Sequence, residues 1–285
     1  MAALLFLVSC ARPDSEEKST LFMKAERLGR VSSKLEEASG LVASITNPGY
    51  LWTLNDGGNP SEIFLLDNEG DIKLTCKLKN IDNRDWEDIA IARDPKDSLV
   101  YLYVGDIGDN DAKYGFKYIY RLEEPLFEKN DKISINEFET LIIKLPDAIR
   151  DMEAMAIDHA TGDLYMVSKR EQNVNVYLLD YNSIFKSDTL VPTIVGTIPY
   201  FNTVAIDISF DSKEILLKTY DEVYYWKKPD TVSIAQTLSS WPVRLDYKKE
   251  PQGESIAWNL DGSGFYTLSE SNHSRARLYF YQKAK

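Results

Sequence analysis

Short apolar and aromatic runs alternate along this chain with clusters of turn residues, and no stretch sustains a helical period. The first set of runs is Leu51-Trp52-Thr53-Leu54, Leu102-Tyr103-Val104, Leu164-Tyr165-Met166-Val167, Ile215-Leu216-Leu217 and Phe265-Tyr266-Thr267-Leu268. Each follows a turn built on Gly, Pro, Asn or Asp, such as Asn47-Pro48-Gly49, Thr161-Gly162-Asp163 or Asp261-Gly262. A further run comes later in each unit: Ile63-Phe64-Leu65-Leu66, Lys117-Tyr118-Ile119-Tyr120, Val176-Tyr177-Leu178-Leu179, Val223-Tyr224-Tyr225-Trp226 and Leu278-Tyr279-Phe280-Tyr281. Another strand is visible in most units, over residues 73–77, 139–145, 193–198 and 243–247. β-Branched and aromatic side chains dominate these runs, as a packed pleated surface favours.

Ahead of each first run stands a recurring phrase. It reads Glu37-Ala38-Ser39-Gly40-Leu41, Glu87-Asp88-Ile89-Ala90, Glu153-Ala154-Met155-Ala156, Ile206-Asp207-Ile208-Ser209 and Glu254-Ser255-Ile256-Ala257. A period of about 50 residues carrying four strands predicts an all-β chain folded as a β-propeller. Five units predict five blades, with a six-bladed ring as the alternative. The interval from Glu87 to Glu153 is the longest, and residues 123–135 read as a loop within it. The last unit has three strands, so residues 21–29 are expected to supply its outer strand and close the ring, leaving only short edges. The propeller domain is therefore expected over residues 21–285. A β-sandwich would leave the repeated phrase unexplained.

Residues 1–9, MAALLFLVS, are apolar and too short to span a bilayer, which needs about 20 residues. They read as a signal peptide. The run Leu7-Val8-Ser9-Cys10 resembles the lipobox of bacterial lipoproteins, which implies lipidation at Cys10 and anchoring to a membrane. The polar stretch 10–20 then reads as a flexible tether. The expected location is extracytoplasmic, on the outer membrane or the periplasmic face.

Composition narrows the chemistry. The chain has 285 residues with 33 basic against 45 acidic side chains, a net charge of −12, which argues against nucleic acid as a partner. Two Cys exclude a disulfide framework, and Cys76 reads as a small buried hydrophobe. Two His make a multi-histidine zinc site untenable; His159 and His273 lie in turns and read as surface residues. No Gly-x-Ser-x-Gly elbow, phosphate-cradling loop or dinucleotide fingerprint is present, and no catalytic residue is assigned.

The acid has a pattern. In a propeller the first strand of each blade lines the channel, and the second returns to the same end. Glu37, Glu87, Glu153 and Glu254 are therefore expected to ring one mouth, joined by Asp56, Asp106 and Glu270, with Asp88 in the next slot. Asp85-Trp86-Glu87-Asp88 and the loop Gly105-Asp106-Ile107-Gly108-Asp109-Asn110-Asp111 concentrate further carboxylates, Asp109 among them. Lys169 and Arg170 are the basic residues at the equivalent strand end. Converging carboxylates must take up protons or a cation. Hard oxygen ligands suit Ca²⁺ or Mg²⁺, with Glu87, Asp106, Glu153 and Glu254 as the candidate metal set. The competing reading is structural: the repeated acids accept hydrogen bonds from amides of the neighbouring blade.

The phrases Leu51-Trp52-Thr53-Leu54-Asn55-Asp56, Asp85-Trp86-Glu87-Asp88-Ile89-Ala90, Tyr103-Val104-Gly105-Asp106-Ile107-Gly108-Asp109-Asn110, Asp151-Met152-Glu153-Ala154, Lys169-Arg170 and Gly253-Glu254-Ser255-Ile256-Ala257 resemble a family of bacterial extracytoplasmic β-propeller lipoproteins. More distantly the chain is similar to the phytase-like and SdiA-regulated propellers. The resemblance implies the fold over about residues 30–282; calcium and phosphoester hydrolysis are implied only for the phytase-like relatives. The function expected is a lipid-anchored module that binds a small-molecule or protein ligand, or acts as a scaffold, through an acidic mouth. The alternative is a metal-dependent hydrolase of phosphoesters or glycans.

Overall fold

A computed structural model describes residues 19–129, 131–271 and 275–285. The predicted signal peptide, Cys10 and His273 lie outside the described residues, as does most of the tether.

The chain enters as β1 (Glu26–Arg30). Blade one follows as β2 (Ala38–Ala43), β3 (Leu51–Asn55), β4 (Glu62–Leu66) and β5 (Ile72–Leu78). Blade two is β6 (Trp86–Arg93), β7 (Val100–Asp106) and β8 (Lys117–Glu123), then, after β9 (Lys132–Ile135), β10 (Glu139–Ile143). Blade three is β11 (Met152–Ile157), β12 (Leu164–Ser168), β13 (Val174–Leu179) and β14 (Thr193–Ile198). Blade four is β15 (Thr203–Ile208), β16 (Glu214–Thr219), β17 (Val223–Lys227) and β18 (Val243–Arg244). Blade five is β19 (Ser255–Trp258), β20 (Gly264–Leu268) and β21 (Arg277–Gln282).

β1 pairs antiparallel with β21, Glu26 opposite Phe280, so the N-terminal strand completes blade five and closes the five-bladed ring. Phe22 and Ser19 extend the clasp by bridges to Lys283 and Leu245. The closing strand is shorter than residues 21–29 suggested and shifted towards Arg30. The stretch 123–135 is not wholly a loop: β9 adds to blade one, parallel to β5, with Thr75 opposite Lys132. The only described α-helix is the single turn α1 (Ile234–Leu238), capped by Ser233 and Gln236.

Five apolar clusters fill the five interfaces between blades. Trp52 and Trp86 are buried between blades one and two, and Trp258 between four and five. Cys76 is buried in the same cluster as Trp52, as its sequence context predicted. The alternation of each strand sends one set of side chains to each neighbouring blade, which is why so many strand residues are buried on both faces.

The inner strands β2, β6, β11, β15 and β19 touch in sequence around the axis and line the channel. Polar clamps lock them together. Asp88 Oδ2 accepts from the Met155 amide (2.7 Å) and Oδ1 from the Ile89 amide (2.8 Å), tying blade two to three. Asp207 repeats this towards blade five, with Trp258 (2.7 Å) and Ile208 (2.8 Å). Ser39 donates to the Glu87 carbonyl. Beside it, Gly40 (φ +57°) sits where a Cβ would lie 2.8 Å from the Ile89 nitrogen, so the first blade boundary is closed by bare backbone.

Phe210, from the turn after β15, packs against the clusters of both blade-one interfaces. It therefore reaches across the axis at the channel end remote from the strand starts. His159 stacks on it at 4.5 Å. His159 stays in its turn, half-buried against Phe210, and burial lowers its pKa to about 4, so it is neutral.

Candidate functional site

Strand register decides which side chains meet at the mouth. β6 pairs Trp86 with Asp106 and Asp88 with Gly105, and Glu87 bulges out between them. β11 pairs Met152 with Ser168 and Ala154 with Val167, with Glu153 in the bulge. β15 pairs Thr203 with Thr219 and Ala205 with Lys218, which puts Val204 at that position. In blade five Ser255 pairs with Leu268, so Glu254 is the equivalent residue. A bulge carries an unpaired residue and re-aims its side chain. Here it aims glutamates across the mouth from blades two and three, and Glu254, just before β19, takes the same place in blade five.

The repeated phrase is thus out of register in two blades. Glu37 is not in this tier: its carbonyl accepts the Asp56 amide as the Asp151 carbonyl accepts that of Lys169 and the Gln252 carbonyl that of Glu270. Glu37 therefore shares an outer tier with Asp151, and with Asp85, which directly precedes Trp86. It is exposed and accepts from Asn59 (2.6 Å). In blade four the equivalent of Glu87 is Val204, not Ile206, two residues earlier than the phrase implied.

Two carboxylate trios form in the described residues: Asp56, Asp85 and Glu87, and Glu87, Asp151 and Glu153. In each, one oxygen per residue lies within 4.8 Å of the others. Glu87, 2% exposed, belongs to both. A Cβ on Gly108 would overlap the Glu87 and Asp85 carboxylates, and one on Gly57 would overlap Asp85. The Gly-Asp-Ile-Gly phrase thus gives these acids their space. Asp85 and Asp151 were not among the residues singled out as site members. The signal for them was the acid–apolar–Glu triplet shared by Asp85-Trp86-Glu87 and Asp151-Met152-Glu153.

Cations flank the second trio. Lys169 Nζ lies 2.6 Å from Glu153 Oε1 and 5.1 Å from the Tyr220 ring centre. Arg170 Nε is 2.6 Å from Asp151 and its guanidinium also reaches Asn110. On the far side, the Tyr220 hydroxyl donates to Glu254 Oε1 (2.6 Å).

Protonation follows burial. Burial raises Glu87 well above the usual carboxylate range, with Glu153 and Asp56 adding to it. Burial first, then the Glu254 and Asp85 charges, raises Asp56 to about 7 against the pull of the Gly57 amide. Burial also raises Glu270 to about 8, reinforced by the Glu254, Asp56 and Glu37 charges. Burial pushes Glu153 up to about 8 against the counter-pull of Lys169. Lys169 itself is held charged by Glu153 despite burial. Groups this close titrate as a set. The set has more acid than its lysine and arginine can neutralise.

The other predicted residues stand apart from both trios. Asp106 is buried and paired with Arg84 (3.0 Å), with Tyr120 at 3.4 Å; strand alternation turns it away from Glu87. Asp88 is the interblade clamp. Asp109 braces its own loop: it accepts from the Lys113 (2.7 Å) and Tyr114 (2.8 Å) amides and pairs with buried Lys117 (3.2 Å). Glu254 and Glu270 face the trios across the mouth and reach them through charge.

No protein-family model matches the chain, and no curated protein matches it. Solved structures do. The PQQ-bound form of the aldose sugar dehydrogenase from Streptomyces coelicolor superposes over 90% of this chain and 97% of its own, with a TM-score of 0.55 at 9% identity. At that identity the likeness shows the propeller fold alone.

Proposed function

We propose that this propeller binds a divalent cation at its acidic mouth and uses the mouth to hold a ligand. The observation that carries the reading is the sharing of Glu87 by two trios whose oxygens are already within 4.8 Å. Oxygens on one Ca²⁺ sit at about 2.3–2.6 Å from the ion, so pairs of them span up to about 5 Å. The trios need little rearrangement to close on such an ion, and the ion would replace the protons that the crowded carboxyls otherwise hold. Calcium suits the irregular arrangement better than Mg²⁺, which demands a near-ideal octahedron.

A ligand-binding or scaffold role is the first reading. Metal-dependent hydrolysis of phosphoesters or glycans is the second, favoured by one feature: a bridging Glu87 with Lys169 and Arg170 beside it could hold an anionic group against a metal.

Thermal unfolding with calcium and with chelator tests the cation directly. An ion that binds only the native state at a hundredfold its Kd adds about 2.7 kcal/mol, so the melting temperature should rise with calcium. Identical melts would contradict the proposal. Turnover of a phosphoester or glycan panel that requires the ion would select the hydrolase; binding without turnover would select the module.

The proposed setting is a lipid anchor at Cys10 outside the cytoplasm. Its support is the apolar run of residues 1–9 ending at Cys10 and the polar stretch that follows. Cys10→Ser should release the protein from membranes into the soluble fraction; unchanged membrane association would refute lipidation.

A further inference from the structure

Blades three and five carry the same glutamate in the same register and differ in what stands beside it. In blade three, Lys169 follows the end of β12, and its ammonium lies 2.6 Å from Glu153. In blade five the residue at the matching position, identified by its amide bond to the Gln252 carbonyl, is Glu270. Where blade three supplies its own ammonium, blade five supplies a second carboxyl. The result is two carboxyls side by side, Glu254 and Glu270, neither of which forms an ion pair among the described residues.

Glu254 is 4% exposed. Its Oε1 accepts the Tyr220 hydroxyl, but Oε2 is buried and no donor of the described residues reaches it. A buried carboxylate oxygen left unpaired forfeits its hydration without compensation, so its persistence at a mouth calls for a partner from outside. Among the described residues, four basic side chains of this end of the ring are committed elsewhere. Lys218, beneath Glu254, gives its ammonium to the carbonyls of Gly253 and Thr219. Lys169, Arg170 and Arg84 are paired on the side of blades two and three. Among the described residues, neither Glu254 nor Glu270 joins a trio at metal spacing. An ammonium fits a looser set, because its three N–H donors reach acceptors singly.

We propose that Glu254, Glu270 and the Tyr220 ring form a subsite for the primary ammonium group of an aliphatic amine, in the way that Glu153 and the same ring hold the ammonium of Lys169. Tyr220 stands between the two positions: its hydroxyl is bonded to Glu254, and its ring lies 5.1 Å from Lys169 Nζ. The subsite does not depend on the divalent cation.

Calorimetric titration of the full chain with 1,5-diaminopentane, in the presence of chelator, tests it. The wild type should bind one equivalent, and 1-pentanol should not bind. Glu254→Gln should weaken the amine at least tenfold. Glu270→Lys should abolish amine binding and raise the melting temperature, because the introduced ammonium takes the subsite as Lys169 takes its own. No heat with the wild type would overturn the proposal. So would equal binding by folded Glu270→Lys protein, which would mark general attraction to a chain of net charge −12. Amine binding without any calcium effect on melting would retire the cation reading and leave this one standing; the reverse result would do the opposite.

Discussion

Glu87→Gln is expected to weaken calcium binding by about a hundredfold, which corresponds to about 2.7 kcal/mol, while leaving the chelated protein as stable as the wild type or more so. The two effects have opposite signs because Glu87 does two opposed things. It is the residue common to both trios, so every ion position that uses three of these oxygens loses a charged ligand. In the ion-free protein the same carboxyl is buried against Glu153 and Asp56, and the surroundings push its pKa well up. A neutral amide of the same volume fits the space that Gly108 leaves and removes the repulsion. Melting with and without calcium reads both effects at once. If Glu87 were only a brace, the variant would melt earlier in both conditions and the calcium increment would persist.

Arg121→Met is expected to destabilise the fold by about 3–5 kcal/mol, the usual consequence of removing one partner of a buried ion pair. Arg121 is 4% exposed and binds Asp94 (2.5 Å), Glu139 (2.7 Å) and the Tyr103 hydroxyl (3.1 Å), with its guanidinium 3.4 Å from the Tyr101 ring centre. Asp94 is equally buried and accepts from the Tyr181 hydroxyl (2.6 Å) and the Lys96 amide (2.7 Å), so its charge would remain with donors but without a counter-ion. Methionine fills the space without supplying one. In a domain of this size the melting temperature should fall by on the order of 10 °C. This knot sits at the β6–β7 turn, the end of blade two remote from the mouth, so calcium affinity should stay within about twofold. A loss of calcium binding at permissive temperature would show that the two ends of the blade are coupled.

The blades were legible because a four-stranded unit repeats both its apolar runs and its turn breakers. Ring closure was legible from arithmetic: the last unit lacked one strand, and β1 supplied it. β9 was not, because Lys132-Ile133-Ser134-Ile135 is a strand only by virtue of the β5 edge it pairs with. The site was half legible. Glu87, Glu153 and Glu254 do share a tier, but a one-residue bulge decides which face a side chain meets, and no letter in the phrase marks it. That is why Glu37 falls in the outer tier and Ile206 lies beyond the mouth. The same rule separates acids that look alike: one step along the strand from bulged Glu87, Asp88 points to the next blade and clamps an amide. Asp207 does so in blade four. Asp106 belongs to Arg84 by the alternation of β7. The acids that complete the trios, Asp85 and Asp151, were visible as the first letters of two triplets but carried no mark that set them above other surface acids.

The most direct measurement is an anomalous difference map from crystals grown with calcium and, in parallel, with chelator. The account predicts a calcium-dependent peak at about 2.3–2.6 Å from a Glu87 oxygen and from oxygens of at least one trio that contains it. A map without that peak, in which Glu87 and Glu153 instead accept backbone amides of neighbouring blades, would contradict it.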